Sequence, residues 1–287
     1  MNPPKGPEQA GLPADPGDDV TEDGVFRVVL DGYDAVYGAL PRSATFNRIW
    51  RDKAYGGAFP AEFAHIGFLT VGEARRMLEL LDVDSGDVLV DLACGAGGPG
   101  LWAAQHSGAQ LIGIDPAPAG VAAAGERARR AGLSEQACFT AGTFERTGLA
   151  DQVADAVMSV DAFQYAPDKY AAMAEILRIL RPGGRLVLIA FEVDPARGHG
   201  LPVLGADPIA DYVPLLKRAG FVIEVCEETP GWRERVNGAF SAIVEARDAL
   251  AAEMGGQAAA GVVAEAMLTV ELDPYPRRVL LAASRPA

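Results

Sequence analysis

From Val88 to Ala283 the chain alternates short continuous apolar runs with longer stretches in which apolar residues recur every three to four positions. The first pattern marks a strand buried on both faces, the second a helix packed along one stripe. The runs predict strands at 88–92, 110–115, 137–141, 154–160, 185–191, 221–228 and 279–283, with helices from about 99 and at 118–131, 168–180 and 207–219. Such alternation predicts parallel pairing with helices on both faces, an α/β fold with a doubly wound seven-stranded sheet. Upstream, Phe26, Val29, Leu30, Tyr33 and Tyr37 fall at helical spacing, and a short helix begins over Phe46 to Trp50. Thr70-Val71-Gly72-Glu73 has the capping-box signature, opening a helix through Leu81 whose Met77, Leu78 and Leu81 face the core. Beyond the strand at 221–228, Trp232, Val236, Ala239, Phe240, Ile243, Leu250 and Met254 again repeat with helical period. The chain therefore divides into a disordered tail at 1–24, a helical N-terminal cap at 25–69, and a main domain at 70–287 that carries a helical insertion at about 231–270 before its last strand. The tail has too few large apolar side chains to offset the entropy of ordering it. The apolar stripe of the insertion suits a lid over a pocket, a homodimer interface or simple core packing.

The chemistry concentrates where the first strand ends. Asp91 to Trp102 reads Asp-Leu-Ala-Cys-Gly-Ala-Gly-Gly-Pro-Gly-Leu-Trp, a strand end, a glycine turn and a helix start. Gly95, Gly97 and Gly98 allow close backbone approach and conformations closed to residues with side chains, and the helix start presents free N–H groups. Asp115, at the tip of the next strand, is placed to accept hydrogen bonds from the two hydroxyls of a ribose. A nucleoside ligand follows. Gly95-Ala96-Gly97-Gly98-Pro99-Gly100 also satisfies the dinucleotide fingerprint, so the glycines alone do not exclude a nicotinamide cofactor. Asp91 argues against one, because a carboxylate there repels a pyrophosphate and favours an amino group.

Farther on, Leu180-Arg181-Pro182-Gly183-Gly184 ends a helix, turns and enters another buried strand. With Asp91 to Gly97, in this order, it makes the chain from about Thr70 to Glu192 resemble the class I S-adenosylmethionine (SAM) methyltransferases, and the glycine turn resembles those of actinobacterial enzymes that modify specialised metabolites. The resemblance implies a Rossmann-like fold, SAM as cofactor, and methyl transfer to the oxygen, nitrogen or an electron-rich carbon of a small molecule. It implies cofactor-side roles for Thr70, Asp91, Ala93, Gly95, Gly97, Asp115, Pro116, Thr143, Phe144, Asp161 and Gln164. Three positions depart from the family pattern. Ala93 replaces the more frequent glycine, Gly142-Thr143-Phe144 lacks the acid that often pairs with the adenine amino group, and Gln164-Tyr165 stands where many O-methyltransferases carry a histidine base. Candidate bases are then His65, His199, Tyr165 and Glu192; His106, in the helix after the glycine turn, is placed on the surface. A SAM-fold protein that catalyses a rearrangement or cyclisation, or only binds, remains the alternative.

Bulk composition narrows the partners. At 287 residues and 49% hydrophobic composition the chain can bury one large core, or one core and a small cap. With 25 basic against 39 acidic residues and a net charge of −14, it lacks the basic groove a nucleic acid needs. Cys94, Cys138 and Cys226 read as buried thiols of a reducing compartment, which with no apolar run of membrane-spanning length and no signal pattern points to the cytoplasm. No metal site is expected.

Overall fold

The computed structural model describes residues 22–63, 66–198 and 208–287, the side chains of 22–29 excepted. Its centre is a seven-stranded sheet in the order β3-β2-β1-β4-β5-β7-β6: β1 (Val88–Leu92), β2 (Gln110–Asp115), β3 (Ala137–Ala141), β4 (Ala154–Val160), β5 (Leu180–Glu192), β6 (Val222–Glu228) and β7 (Arg277–Ser284). Every predicted strand is present within a few residues. Two differences have local causes. The Arg181-Pro182-Gly183-Gly184 segment, expected as a turn, lies within β5, where the register jumps from Ala154 opposite Leu180 to Ala156 opposite Arg185. β7 runs antiparallel to both neighbours instead of parallel. The insertion leaves the sheet after Glu228 and returns opposite it, since Glu228 pairs with Val279, so the final strand has to run back.

Helices cover both faces. On one side α3 (Val71–Leu81), α4 (Gly98–Ser107) and α5 (Pro118–Ala131) enclose a core of Met77, Leu81, Leu101, Trp102 and the facing strand residues. On the other, α6 (Lys169–Ile179) and α8 (Tyr212–Ala219) bury Met173, Ile176, Leu215 and Leu216; the one-turn α7 (Pro195–Gly198) follows β5. The predicted capping box of α3 is complete, with Thr70 Oγ1 accepting from Glu73 N at 3.2 Å and Glu73 Oε2 accepting from Thr70 N at 2.9 Å. Cys94 is buried, but Cys138 and Cys226 are exposed. The expectation of three buried thiols fails because β3 and β6 are the two edge strands of the sheet.

A third core forms the cap. α1 (Glu22–Ala39), α2 (Ala44–Ile49) and the irregular turns to Ala58 pack against the insertion, which comprises α9 (Trp232–Glu245), α10 (Arg247–Met254) and α11 (Gly256–Leu272). Phe68, Phe191 and Val193 join this cluster, so the cap sits over the carboxyl end of β5. Among the described residues, no helix is long and apolar enough to cross a membrane.

Candidate active site

The strand order reverses between β1 and β4, and ligands of open α/β sheets bind beyond the carboxyl ends of strands at such a point. A cavity of about 410 Å³ opens there, lined by Asp91 near the end of β1 and Ala93 after it, by Asp115 at the end of β2 and Pro116 after it, by Thr143 and Phe144 after β3, and by Asp161 and Tyr165 after β4. A second cavity of about 310 Å³ lies under the cap between Tyr33, Trp50, Phe68, Phe191, Phe240 and Glu265. Tyr33, Phe46, Trp50, Ile66, Asp161 and Tyr165 line both cavities.

Two carboxylates dominate the first cavity. Asp91 is buried, and burial, reinforced by the nearby Asp115, pushes its carboxyl up to about 8. Gly100 makes its position available, because a Cβ there would overlap the carboxylate. Asp115 is also raised by burial, and both its oxygens already serve the backbone: Oδ2 accepts from Gly95 N at 2.7 Å and Oδ1 from Ala117 N at 2.8 Å. The acid at the tip of β2 therefore fixes the glycine turn as well as facing the cavity. Such a site favours a ligand that brings a cation and hydroxyl donors, as a SAM methionyl ammonium and ribose do.

The glycines serve the fold more than open space. Gly95 and Gly97 have φ of +51° and +73°. A Cβ at Gly95 would overlap the Tyr37 hydroxyl, and one at Gly97 would crowd Ala124 and Phe139. The room expected for a ligand at these two positions is filled by α1 and by the α5–β3 packing. Ala93 holds φ +56°, the conformation that favours glycine, at a cost of about 1–2 kcal/mol.

The other candidates divide cleanly. Pro116, Thr143 and Phe144 border the first cavity. Asp161, at φ +54°, turns its carboxylate toward Arg278, which donates from Nε at 2.7 Å and Nη2 at 3.1 Å, and accepts from Phe68 N at 2.7 Å. Arg278 is fully buried and also reaches Glu73 at 3.2 Å and Thr229 at 2.9 Å, while Glu73 pairs with Arg235 at 2.7 Å. Thr70 caps α3 and lies in the wall of neither cavity. Gln164 is buried behind the site, its Nε2 donating to Asp161 O at 2.7 Å. Glu192 is buried in a bidentate pair with Arg277 at 2.7 and 3.1 Å and faces neither cavity. His65 and His199 lie outside the described residues. His106 is exposed on α4, its ring 4.1 Å from that of Trp102.

Two contributions were not foreseen. Asp34 and Tyr37 of α1 reach the cofactor side: Asp34 Oδ1 accepts from Ala119 N at 2.7 Å, and Tyr37 packs on Gly95 and Gly120. Glu265 of α11 lines the inner cavity, where Tyr165 Oη donates to its Oε1 at 2.6 Å and Tyr33 Oη approaches its Oε2 at 3.5 Å. Burial raises the Glu265 carboxyl, opposed by these two hydroxyls. A signal existed in the sequence, since Glu265 is the lone charge in the largely apolar stretch from Ala258 to Val270.

The fold agrees with known proteins. Residues 90–188 match the family model described as a methyltransferase domain. The chain is 27% identical to methyltransferase GfsG of Streptomyces halstedii, over 72% of its length and 78% of that protein. It is 26% identical to the 27-O-demethylrifamycin SV methyltransferase of Amycolatopsis mediterranei, over 70% of this chain and 78% of that one. Its fold is similar to the crystal structure of the [4+2]-cyclase SpnF, with a TM-score of 0.70 at 24% identity, covering 90% of this chain and 95% of that one.

Proposed function

We propose that this protein is a methyltransferase that moves the methyl group of SAM to a small, largely apolar acceptor enclosed under the cap. The observation that carries the reading is the pair of adjoining cavities. One holds two buried carboxylates beyond β1 and β2; the other is walled mainly by aromatic and aliphatic side chains, and Asp161 and Tyr165 border both. Similarity to methyltransferases of Streptomyces and Amycolatopsis supports an acceptor of specialised metabolism.

In this reading Asp91 faces the methionyl amino group, Asp115 the ribose hydroxyls, and Pro116, Thr143 and Phe144 the adenine side. Bound SAM supplies an electrophilic methyl on a sulfonium. The protein then contributes alignment and exclusion of water, which the cap provides by closing an apolar chamber over the reacting atoms.

Titration calorimetry with SAM, followed by mass spectrometry of incubations with SAM and apolar small molecules, tests the proposal. SAM is expected to bind, and S-adenosylhomocysteine to form in step with a product one methyl heavier. Binding of SAM with conversion of an acceptor but no S-adenosylhomocysteine would instead identify a rearrangement or cyclisation. A thermal shift with NAD and none with SAM would overturn the cofactor assignment.

A further inference from the structure

The inner chamber contains a group that apolar packing does not explain. Glu265 projects from α11 into a wall of Val36, Phe68, Phe191, Ile243 and Leu268, where a charged side chain is costly to bury. Its partners are phenol hydroxyls: Tyr165 at 2.6 Å and Tyr33 at 3.5 Å, the two rings 5.8 Å apart. Tyr275, just before β7, completes the titratable groups around it, and Asp161 in the same wall is held by Arg278. Thus a carboxylate with spare acceptor capacity faces the space between the tyrosines.

We propose that Glu265, steadied by Tyr165 and Tyr33, anchors the acceptor by accepting a hydrogen bond from one hydroxyl group, and so selects apolar alcohols or phenols among the molecules that fit the chamber. The inference rests on the inner cavity being the acceptor site. A hydroxyl fits better than an ammonium because the wall around Glu265 is otherwise largely apolar, and a second charge brought into it would have to be desolvated as well. An ether of the same shape leaves the Glu265 carboxylate without its donor.

Three probes distinguish these cases: 1-naphthol, 1-methoxynaphthalene and 1-naphthylmethylamine, each titrated into the SAM-saturated protein. Wild type is expected to bind 1-naphthol roughly tenfold more tightly than the ether, the ratio that one hydrogen bond to a charged group supplies. Glu265→Gln, which keeps the shape, should reduce that preference severalfold, and Glu265→Leu should erase it, with ether affinity retained in both. Unchanged SAM affinity and a cooperative thermal melt certify that the variants are folded; if the Leu variant is not, the Gln variant decides. No preference in wild type, no binding of 1-naphthol at all, a preference that survives in the folded variants, or tightest binding of the amine each overturns the proposal. Failure of wild type to bind SAM would instead strike the methyltransferase reading, which the SAM titration registers separately.

Discussion

Asp91 shows how a single residue links the site to solution behaviour. Burial, with Asp115 nearby, pushes its carboxyl up to about 8 from an ordinary value of 3.8. Between these values the native chain keeps a proton that the unfolded chain has lost, so this group's contribution to stability is full below about pH 4 and falls as the pH rises toward about 8. Denaturant unfolding of wild type and Asp91→Asn at about pH 5 and about pH 8 checks this: the decline should be steeper in wild type, and equal declines would refute the assignment. A cationic amino group bound beside Asp91 favours the ionised form, so SAM binding below pH 8 is expected to release a proton, measurable by calorimetry in two buffers of different ionisation enthalpy. Asp91 and Asp115 were legible because each stands at the end of an apolar run, where a strand delivers it to the site. Glu265 stood out only as a lone charge in an apolar stretch, and its role did not, because nothing local shows that the helix bearing it faces Tyr165, a hundred residues away in the chain.

At the scale of elements, capping and buried pairing carry different weights. Thr70→Ala removes one side of the capping box and is expected to cost about 1 kcal/mol of stability while leaving SAM affinity unchanged, since Thr70 touches neither cavity. A large loss of SAM affinity in that variant would restore Thr70 to the cofactor site. Arg278→Met should be far more damaging, about 3–5 kcal/mol by chemical denaturation, because it takes the Arg278 guanidinium from buried Asp161 and leaves Glu73 with Arg235 as its remaining cation. Through this network β7 holds the αL turn at Asp161, an arrangement that sequence periodicity does not report. The local signals did place α3, α5 and α6 within a residue or two, since each has a capping residue or a glycine at its end.

For the whole molecule, the cap joins the first and last thirds of the chain over the sheet. α1 packs against α11, and its Asp34 and Tyr37 also reach the start of α5 and the glycine turn. SAM binding at that turn should therefore slow amide hydrogen exchange in α1 as well as around Gly95 and Ala117, while the central strands, already protected, change little. Exchange in α1 that ignores SAM would show the cap to be uncoupled from the cofactor side. By itself the sequence determined the strands, their alternation with helices, and the two acids that face the first cavity, because burial of a parallel strand and exposure of its tip are written in consecutive residues. Only the tertiary structure decided the antiparallel return of β7, the filling of the space beside Gly95 by Tyr37, the withdrawal of Thr70, Gln164 and Glu192 from the cavities, and the meeting of Glu265 with Tyr165 and Tyr33. These depend on which surfaces of distant segments come together, and the hydrophobic pattern that drives such packing specifies that a face is buried without naming its partner.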